Sequence, residues 1–291
     1  MKNDFFNYIE YQKRYSAHTL TSYRIDLGQF EEYLARSYEE DLSNATYPII
    51  RSWVVKLIEE GYLTTSIHRK ISCVKAFYNF LNKQKLLSGN PARNIQLPKN
   101  PKKLPVFLTE TQTVRLLDDI TFPDDFDGRR DKAILELLYS TGIRVSELVA
   151  IDEKDIDFSS KAIKVTGKRK KQRIIPVSDY LLRIIKNYKQ YKEQLGENTL
   201  PHLFVTKKGK KIYSKLIYRI VNKYLKQVST SEKKSPHVLR HTFATHMLNN
   251  GADINAIKEL LGHASLSATQ VYTHNTVERI KSIYKHAHPR A

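Results

Sequence analysis

Hydrophobic residues recur at helical spacing through residues 1–88, and short polar turns separate the repeats. Ser16 can cap one helix and Thr64 or Thr65 another, because hydroxyl side chains accept hydrogen bonds from the first N–H groups of a helix. A third helix should stop near Gly61. The apolar positions are Phe5, Phe6 and Ile9; Leu20, Tyr23, Leu27, Phe30 and Leu34; Ile49, Trp53, Val54 and Leu57; and Ile67, Ile71, Val74, Phe77, Tyr78 and Leu81. The pattern predicts a compact four-helix unit.

The stretch GNPARNIQLPKNPKKLPVFL, residues 89–108, interrupts this pattern. Its four prolines disrupt helices, and its Lys and Arg side chains are positive. We interpret it as a basic linker between two domains, with a plain surface loop as the alternative.

Residues 109–291 combine helical and strand patterns. Apolar and basic residues alternate over residues 162–177 around Gly167, which predicts a β-hairpin. Helices are predicted from Thr109 and Glu110, near 130–140, at 179–194, 214–228, 237–250 and 253–261, and from about 276. The fold class expected is mainly α with a small β-sheet: a four-helix N-terminal domain, then an α-rich domain with a three-stranded sheet or hairpin.

The net charge of the chain indicates what kind of partner the protein binds. The chain has a net charge of +19. Residues 1–90 hold 12 Lys and Arg against 10 Asp and Glu, whereas residues 91–291 hold 37 against 20. So strong a positive field favours a polyanionic partner, and nucleic acid is the first candidate. The basic linker can contact such a partner too. A basic surface that serves solubility alone is the alternative.

The cysteine content and the hydropathy of the chain exclude disulfide-linked, thiolate-metal and membrane-spanning proteins. Cys73 is the one cysteine, so an intramolecular disulfide or thiolate metal cluster is impossible, and a buried inert thiol is expected. The first 15 residues contain no uninterrupted apolar core, and no apolar run reaches the roughly 20 residues of a membrane span. We therefore expect a soluble, cytoplasmic protein without a membrane partner.

Two basic motifs could bind phosphate. In TGIRVSEL, Arg144 follows a glycine turn at a helix start, and Glu147 can pair with it or orient it. Lys168 follows Gly167 at the predicted hairpin tip, and three more basic residues come next. A β-ribbon with a basic tip suits entry into a DNA groove, and a lysine held there could donate a proton. Each motif alone also fits solvated surface charge.

The segment SPHVLRHTFATHML predicts a helix that places His237 and Arg240 on one face, where together they can grip a phosphate. His241 lies four residues after His237, a spacing that zinc sites use. The HExxH pattern, however, requires Glu where Val238 stands, and no third ligand is placed nearby, so no metal is expected. His246 is interpreted as a structural or surface residue.

The C-terminal segments carry one further candidate. In LLGHASLSATQVYTH, Gly262 and His263 end one helix and Ser265 can cap the next. Tyr272 follows about nine residues after His263. The chain has 18 tyrosines, so this spacing alone does not identify Tyr272 as a functional residue. The apolar stripe Val277, Ile280, Ile283 and Tyr284 predicts a terminal helix. This helix either packs on its own domain or docks onto a neighbour.

Six residues, taken in chain order, resemble the active-site signature of the tyrosine recombinase (phage integrase) family. They are Arg144, Lys168, His237, Arg240, His263 and Tyr272. The size of the chain resembles that of the family's Xer branch. The stretches TGIRVSEL, HVLRHTFATHML and LGHASLSATQVYTH match that family's boxes almost in full. The resemblance covers the whole chain. It implies a SAM-like core-binding domain at 1–88 and a catalytic domain at 109–291. At the hairpin, Arg169 stands where relatives often have a small residue, so Lys170 or Lys171 could take the role of the lysine.

The resemblance implies strand exchange through a covalent phosphotyrosine, with no cofactor, ATP or metal. The implied roles are Tyr272 as nucleophile, Arg144 and Arg240 on the non-bridging oxygens, Lys168 as general acid, His237 and His263 as proton-transfer and phosphate ligands, and Glu147 as an orienting residue. The implied DNA partner is a double-stranded recombination site. The implied assembly is a homo- or heterotetramer joined by the tail helix, and the implied regulator is a DNA translocase.

The biological role that the resemblance implies is the resolution of chromosome or plasmid multimers, and so chromosome partition at cell division. Three alternatives stay open from the residues. The first is an integrase or invertase of a mobile element with the same chemistry, the second is a DNA-binding protein without catalysis, and the third is a metal-dependent nuclease or helix-bundle phosphoesterase.

Overall fold

The computed structural model describes residues 1–99, 105–167, 171–196, 201–262 and 274–291, the last without the side chains of 274–277. The chain divides into two compact units, Met1–Lys103 and Leu104–Ala291. Within the described residues, no helix combines the length and hydropathy that crossing a membrane requires.

The first unit contains the four predicted helices. They are α1 (Lys2–Asn7), which continues as a π-helical turn (Tyr8–Gln12), α2 (Ala17–Tyr38), α3 (Tyr47–Glu59) and α4 (Thr64–Lys83). The hydroxyl of Ser16 accepts a hydrogen bond from the Thr19 N–H, as expected of a cap. The cap predicted at Thr64 or Thr65 is wrong: Leu63 precedes α4 and makes no side-chain cap hydrogen bond. Both threonines instead lie in the first turn.

An aromatic core holds this unit together. Phe5, Phe30, Phe77 and Tyr78 are fully buried, and Phe5 meets Phe77 edge to face with 5.4 Å between ring centroids. Cys73 is buried in the same core, as predicted, and burial raises the pKa of its thiol. The core therefore needs no covalent or metal cross-link, in keeping with what a chain of this size can bury.

The segment at 89–108 is shared between the two units. Ala92 and Ile95 are buried in the core of the first unit, and the His68 ring hydrogen bonds the Pro98 carbonyl at 2.9 Å. Leu108 belongs to the core of the second unit. Ala92, Ile95 and Leu108 pack into these cores because burial removes their apolar surface from water. The neighbouring prolines do not prevent this packing.

The second unit is α-rich with one small sheet, which confirms the predicted fold class. Its elements are α5 (Glu110–Val114) with a π-helical turn (Arg115–Asp119), α6 (Phe126–Thr141), α7 (Val145–Ala150), a 3-10 turn (Glu153–Asp155), β1 (Ile156–Asp157), β2 (Ala162–Thr166), β3 (Gln172–Pro176), α8 (Asp179–Glu193), α9 (Ser214–Val228), α10 (Pro236–Asn249), α11 (Ile254–Leu261) and α12 (His274–Ala287). The sheet is antiparallel in the order β1-β2-β3.

The predicted hairpin is formed by β2 and β3. Its register pairs Val165 with Arg173 and Thr166 with Gln172, and the Gly167 N–H donates to the Lys171 carbonyl at 2.7 Å. The tip, residues 168–170, lies outside the described residues. The end of the hairpin matters for the candidate site, because Arg173 and Gly167 lie at the arginine cluster described below.

The terminal helix α12 packs on its own domain, one of the two predicted alternatives. Ile280, Tyr284 and Ala287 are each 3% exposed and belong to the core of the second unit. The Asn250 side chain donates to the Ala287 carbonyl at 3.0 Å, and the His288 ring stacks on Tyr284. The end of the chain is therefore part of the domain core in the single protomer.

Candidate active site

Arg144 and Glu147 form a pair at the start of α7. The Arg144 backbone N–H donates to Glu147 Oε2 at 2.8 Å, and its Nη1 donates to Oε1 at 3.1 Å. Glu147 is buried, whereas the Arg144 side chain is 38% exposed. A carboxylate in the first turn suits the N-terminal helix dipole, so the local sequence RVSE favours this pair.

Arg240 approaches the same place from α10. Its Nη1 donates to the Gly142 carbonyl at 2.6 Å, and its Nη2 donates to the Leu261 carbonyl at 2.8 Å. These are end-of-helix carbonyls of α6 and α11, which lack partners within their own helices and carry the negative end of the helix dipole. Two helix C-termini thus hold the Arg240 guanidinium in one orientation.

The two arginines converge on the last residues of α11. Arg144 Nη1 donates to the Leu261 carbonyl and Nη2 to the Gly262 carbonyl, both at 3.3 Å. The Leu261 carbonyl therefore accepts hydrogen bonds from both guanidinium groups. Residues far apart in the chain are brought together here, as the predicted shared role of Arg144 and Arg240 requires.

A third arginine, which lies in none of the sequence motifs, completes the cluster. Arg173 on β3 donates from Nε to the Leu260 carbonyl at 2.8 Å, and from Nη1 and Nη2 to the two Glu147 carboxylate oxygens at 2.8 and 2.9 Å. The strand pattern held a signal: Arg173 alternates with Gln172 and Ile174 and shares the inward face with Ile175. A charged residue on the buried face of a strand needs a buried partner.

The cluster is strongly cationic because it contains three guanidinium groups and one carboxylate. Burial would raise the pKa of Glu147, but the hydrogen bonds and charge of Arg173, with the backbone N–H and charge of Arg144, outweigh burial and lower it. Burial, together with the charges of Arg144 and Arg173, lowers the pKa of Arg240 to about 10 against the opposing charge of Glu147. Glu147 and Arg240 are therefore both ionised at neutral pH.

Two glycines allow these helix ends to approach. Gly142 ends α6 and Gly262 ends α11, with φ angles of +59° and +66°. A Cβ on Gly142 would lie 2.6 Å from Phe243 Cδ1, so no side chain fits there. The left-handed conformation and the lack of space both require glycine, as the predicted glycine turn before Arg144 implies.

The histidines of α10 differ in their surroundings. Pro236 is the first residue of the helix, as predicted, and His237 is exposed in the first turn, on the same helix as Arg240. His246 is buried, with Nδ1 3.0 Å from the Tyr139 hydroxyl and Nε2 3.0 Å from the Leu108 carbonyl, so it is structural. Among the described residues, no group of three or more His, Cys, Asp or Glu could hold a metal ion.

Three predicted site residues, Lys168, His263 and Tyr272, lie outside the described residues. Gly167, which precedes Lys168, and Gly262, which precedes His263, border the cluster. A Cβ on Gly167 would lie 3.2 Å from Glu147 Oε1, and the Gly262 carbonyl accepts a hydrogen bond from Arg144. Gly167 and Gly262, the described residues next to Lys168 and His263 in the chain, therefore both lie at the arginine cluster.

Comparison with known proteins decides the family. The sequence profile of the phage integrase family matches residues 106–279, and that of the phage integrase N-terminal SAM-like domain matches residues 3–85. The tyrosine recombinase XerC of Bacillus subtilis (strain 168) is 38% identical over 293 residues, covering 99% of this chain and 95% of the relative. The chain belongs to the tyrosine recombinases. Tyrosine recombinase XerC of Thermodesulfovibrio yellowstonii is 40% identical, covering 98% and 95%.

Solved structures agree with the fold of this recombinase. A crystal structure of the XerH site-specific recombinase in a post-cleavage complex with a palindromic difH substrate matches with a TM-score of 0.73 at 22% identity, covering 90% of this chain and 78% of that chain. The XerA recombinase matches with a TM-score of 0.50 at 29% identity over both full chains. The predicted family resemblance and enzyme class are confirmed: the protein is a site-specific strand-exchange enzyme that acts through a covalent tyrosine–DNA intermediate.

Proposed function

We propose that Tyr272 attacks a DNA phosphate bound by Arg144 and Arg240. The observation that carries this assignment is the convergence of the two guanidinium groups on the Leu261 carbonyl, directly before the segment that contains His263 and Tyr272. Arginine suits the task because it stays charged and presents planar N–H donors that match phosphate oxygens.

The proposed reaction exchanges one phosphodiester for another. The Tyr272 oxygen forms a bond to phosphorus while the bond from phosphorus to the 5′-oxygen breaks, which leaves a 3′-phosphotyrosine and a free 5′-hydroxyl. The phenolic proton leaves with the help of His237, and Lys168 supplies a proton to the departing 5′-oxygen. Attack by the 5′-hydroxyl of another strand reverses the step, so no ATP is consumed.

Charge on the five-coordinate phosphorus is the main obstacle to this step. Arg144 and Arg240 stabilise its non-bridging oxygens, His263 donates a further hydrogen bond, and Glu147 orients Arg144. Preorganised donors of this kind contribute about 3–4 kcal/mol each to the transition state, and general acid–base assistance contributes about 10²–10⁴-fold. DNA binding depends on phosphate contacts and weakens steeply as the salt concentration rises.

The biological role we propose is the resolution of chromosome or plasmid dimers in the cytoplasm. The relatives at 36–40% identity that are named tyrosine recombinase XerC support it. Four protomers, of one or two kinds, hold two double-stranded sites, each giving its tail helix to a neighbour, and a DNA translocase controls the exchange. Both the four-helix domain and the catalytic domain contact the duplex, and the basic segment at 89–108 adds phosphate contacts.

A nicked suicide substrate tests the chemistry, because loss of a short fragment prevents religation and traps the adduct. We expect wild-type protein and Tyr213→Phe, a matched change at a 47% exposed tyrosine, to form a denaturant-resistant adduct. Tyr272→Phe should bind the DNA without forming one, and mass spectrometry should place the adduct on the peptide with Tyr272. An adduct on another residue, or none in the wild type, overturns the assignment.

A recombination assay in the source organism tests the biological role. The enzyme should recombine plasmids that carry the chromosome-dimer site, and deletion of its gene should leave chromosome dimers unresolved. Inactivity on that site combined with activity on the ends of a mobile element would reject dimer resolution in favour of the integrase alternative. The covalent chemistry would stand in either case.

A further inference from the structure

We propose that Arg173 is a positioning residue for DNA cleavage. It holds Glu147 and the end of α11 in one arrangement, and through them it sets the position of the Arg144 guanidinium. The inference rests on the phosphate-binding role proposed above for Arg144.

The contacts of Arg173 account for its orientation. Its Nε donates to the Leu260 carbonyl, and Nη1 and Nη2 each donate to one oxygen of Glu147. Its side chain is 7% exposed, whereas that of Arg144 is 38% exposed. Because Arg173 is buried and already directed at protein acceptors, it acts through its neighbours and does not contact the DNA.

These contacts join three parts of the chain that differ in their roles. Arg173 lies on β3, Glu147 in the first turn of α7 and Leu260 in the last turn of α11. Glu147 receives Arg144 and Arg173 on the same oxygen, Oε1, at 3.1 and 2.8 Å. A shift of Arg173 would therefore move the carboxylate that orients Arg144 and, at the same time, the carbonyls that bind both phosphate-directed arginines.

Arg173 also lies between the two segments that carry the remaining proposed catalytic residues. Cβ atoms placed on Gly167 and on Gly262 would be 3.8 and 3.0 Å from its Nη1. Gly167 precedes Lys168, and Gly262 precedes His263. A lysine at position 173 could not replace this group, because one ammonium cannot make two parallel bonds to a carboxylate and a third to a carbonyl.

Single-turnover cleavage of the nicked substrate measures the effect. We expect Arg173→Lys to slow cleavage by about 10²-fold, the usual cost of a small misplacement of catalytic groups, while DNA affinity is unchanged. Arg130→Lys is the matched control: Arg130 has a 6% exposed side chain and pairs with Asp127 and Asp131 on its own helix, away from the site. Rates are corrected for the folded fraction of each variant.

Two readouts separate positioning from a general structural role. Among the residues that the structure describes, the charged groups that face Glu147 are Arg144 at the start of α7, Arg173 on β3 and Arg240 on α10. Without Arg173, the pKa of the buried Glu147 rises, although Arg144 and Arg240 remain beside it. The cleavage rate of Arg173→Met should therefore fall towards acidic pH, as Glu147 becomes protonated. The double variant Arg173→Met, Glu147→Gln should show no such fall, because glutamine does not titrate. The effects of Arg173→Lys and Arg144→Lys should also be far from additive, since both act on one carboxylate.

The outcomes distinguish this inference from the proposed function. No adduct with wild-type protein would refute the chemistry itself. A wild-type adduct together with equal corrected rates for Arg173→Lys and Arg130→Lys, or fully additive effects with Arg144→Lys, would overturn the positioning role alone. If Arg173→Lys does not fold, Arg173→Met decides: a tenfold or greater loss of cleavage by the folded protein supports the inference, and a smaller loss rejects it.

Discussion

Gly262 lies against the guanidinium of Arg173, close enough that a Cβ on the glycine would be 3.0 Å from Nη1. The same glycine has a φ angle of +66° and ends α11. Its backbone conformation ends the helix, and its missing side chain leaves room for Arg173, which donates to the Leu260 carbonyl. Position 262 couples the stability of the helix end to the geometry of the arginine cluster.

Gly262→Ala should affect stability and cleavage together. The left-handed backbone alone should cost about 1–2 kcal/mol of unfolding free energy, and the displaced Arg173 should slow cleavage beyond the loss of folded protein. Gly251→Ala is the control, because Gly251 also has a positive φ, +83°, but open space around its Cβ position. Urea denaturation and single-turnover cleavage measure both quantities. Equal cleavage rates for the two folded variants would contradict the expectation.

Arg144→Ala should slow strand cleavage by about 10²–10³-fold, because it removes a preorganised donor to the transition state. DNA affinity should fall far less, since one phosphate contact is a small part of a basic interface. The cleavage rate at saturating protein and a binding titration separate the two effects. A variant that binds tenfold more weakly yet cleaves at the wild-type rate once bound would assign Arg144 to binding alone.

The sequence allowed the helices, the hairpin and the family of the chain to be predicted, because hydrophobic spacing and short motifs are local signals. Arg144, Glu147 and Arg240 could be proposed from motif order, and the structure brings these three together. The link through Arg173 was not found, because it joins residues from β3, α7 and α11 that no local pattern connects. The incorrect cap before α4 shows the converse: a favourable residue type does not fix where a helix begins.

His246 should matter for stability and not for chemistry. His246→Ala leaves the Tyr139 hydroxyl and the Leu108 carbonyl buried without their shared partner, which should cost about 2–5 kcal/mol of unfolding free energy. His241→Ala, an exposed change on the same helix, should alter that free energy by less than about 0.5 kcal/mol. Denaturant titrations of both variants make the comparison, and similar losses would contradict it.

Glu136 should make stability depend on pH. Burial raises the pKa of this fully buried carboxyl from 4.5 to about 7, although the charges of Arg290 and Lys132 oppose the rise. Because the folded state holds the proton more tightly, this contribution to stability is complete below pH 4.5 and is lost as the pH rises through 7. The loss is at most roughly 3 kcal/mol.

Glu136→Gln keeps the shape of the side chain and removes its titration. The unfolding free energy of the wild type relative to this variant should therefore decline between about pH 4.5 and 7 and stay level above that range. Denaturant titrations at a series of pH values measure the difference. A constant difference across the range would show that Glu136 has the same proton affinity in the folded and unfolded chain.

The burial of Ile280, Tyr284 and Ala287 has a consequence for any assembly that exchanges tails. A protomer that gives α12 to a neighbour leaves an empty acceptor groove in its own core, and that groove is filled only when another protomer gives its helix in turn. An open row of such protomers always has one groove unfilled at its end, whereas a closed ring has none. Ring closure would then follow from the number of grooves and helices alone, without any contact made specially for it.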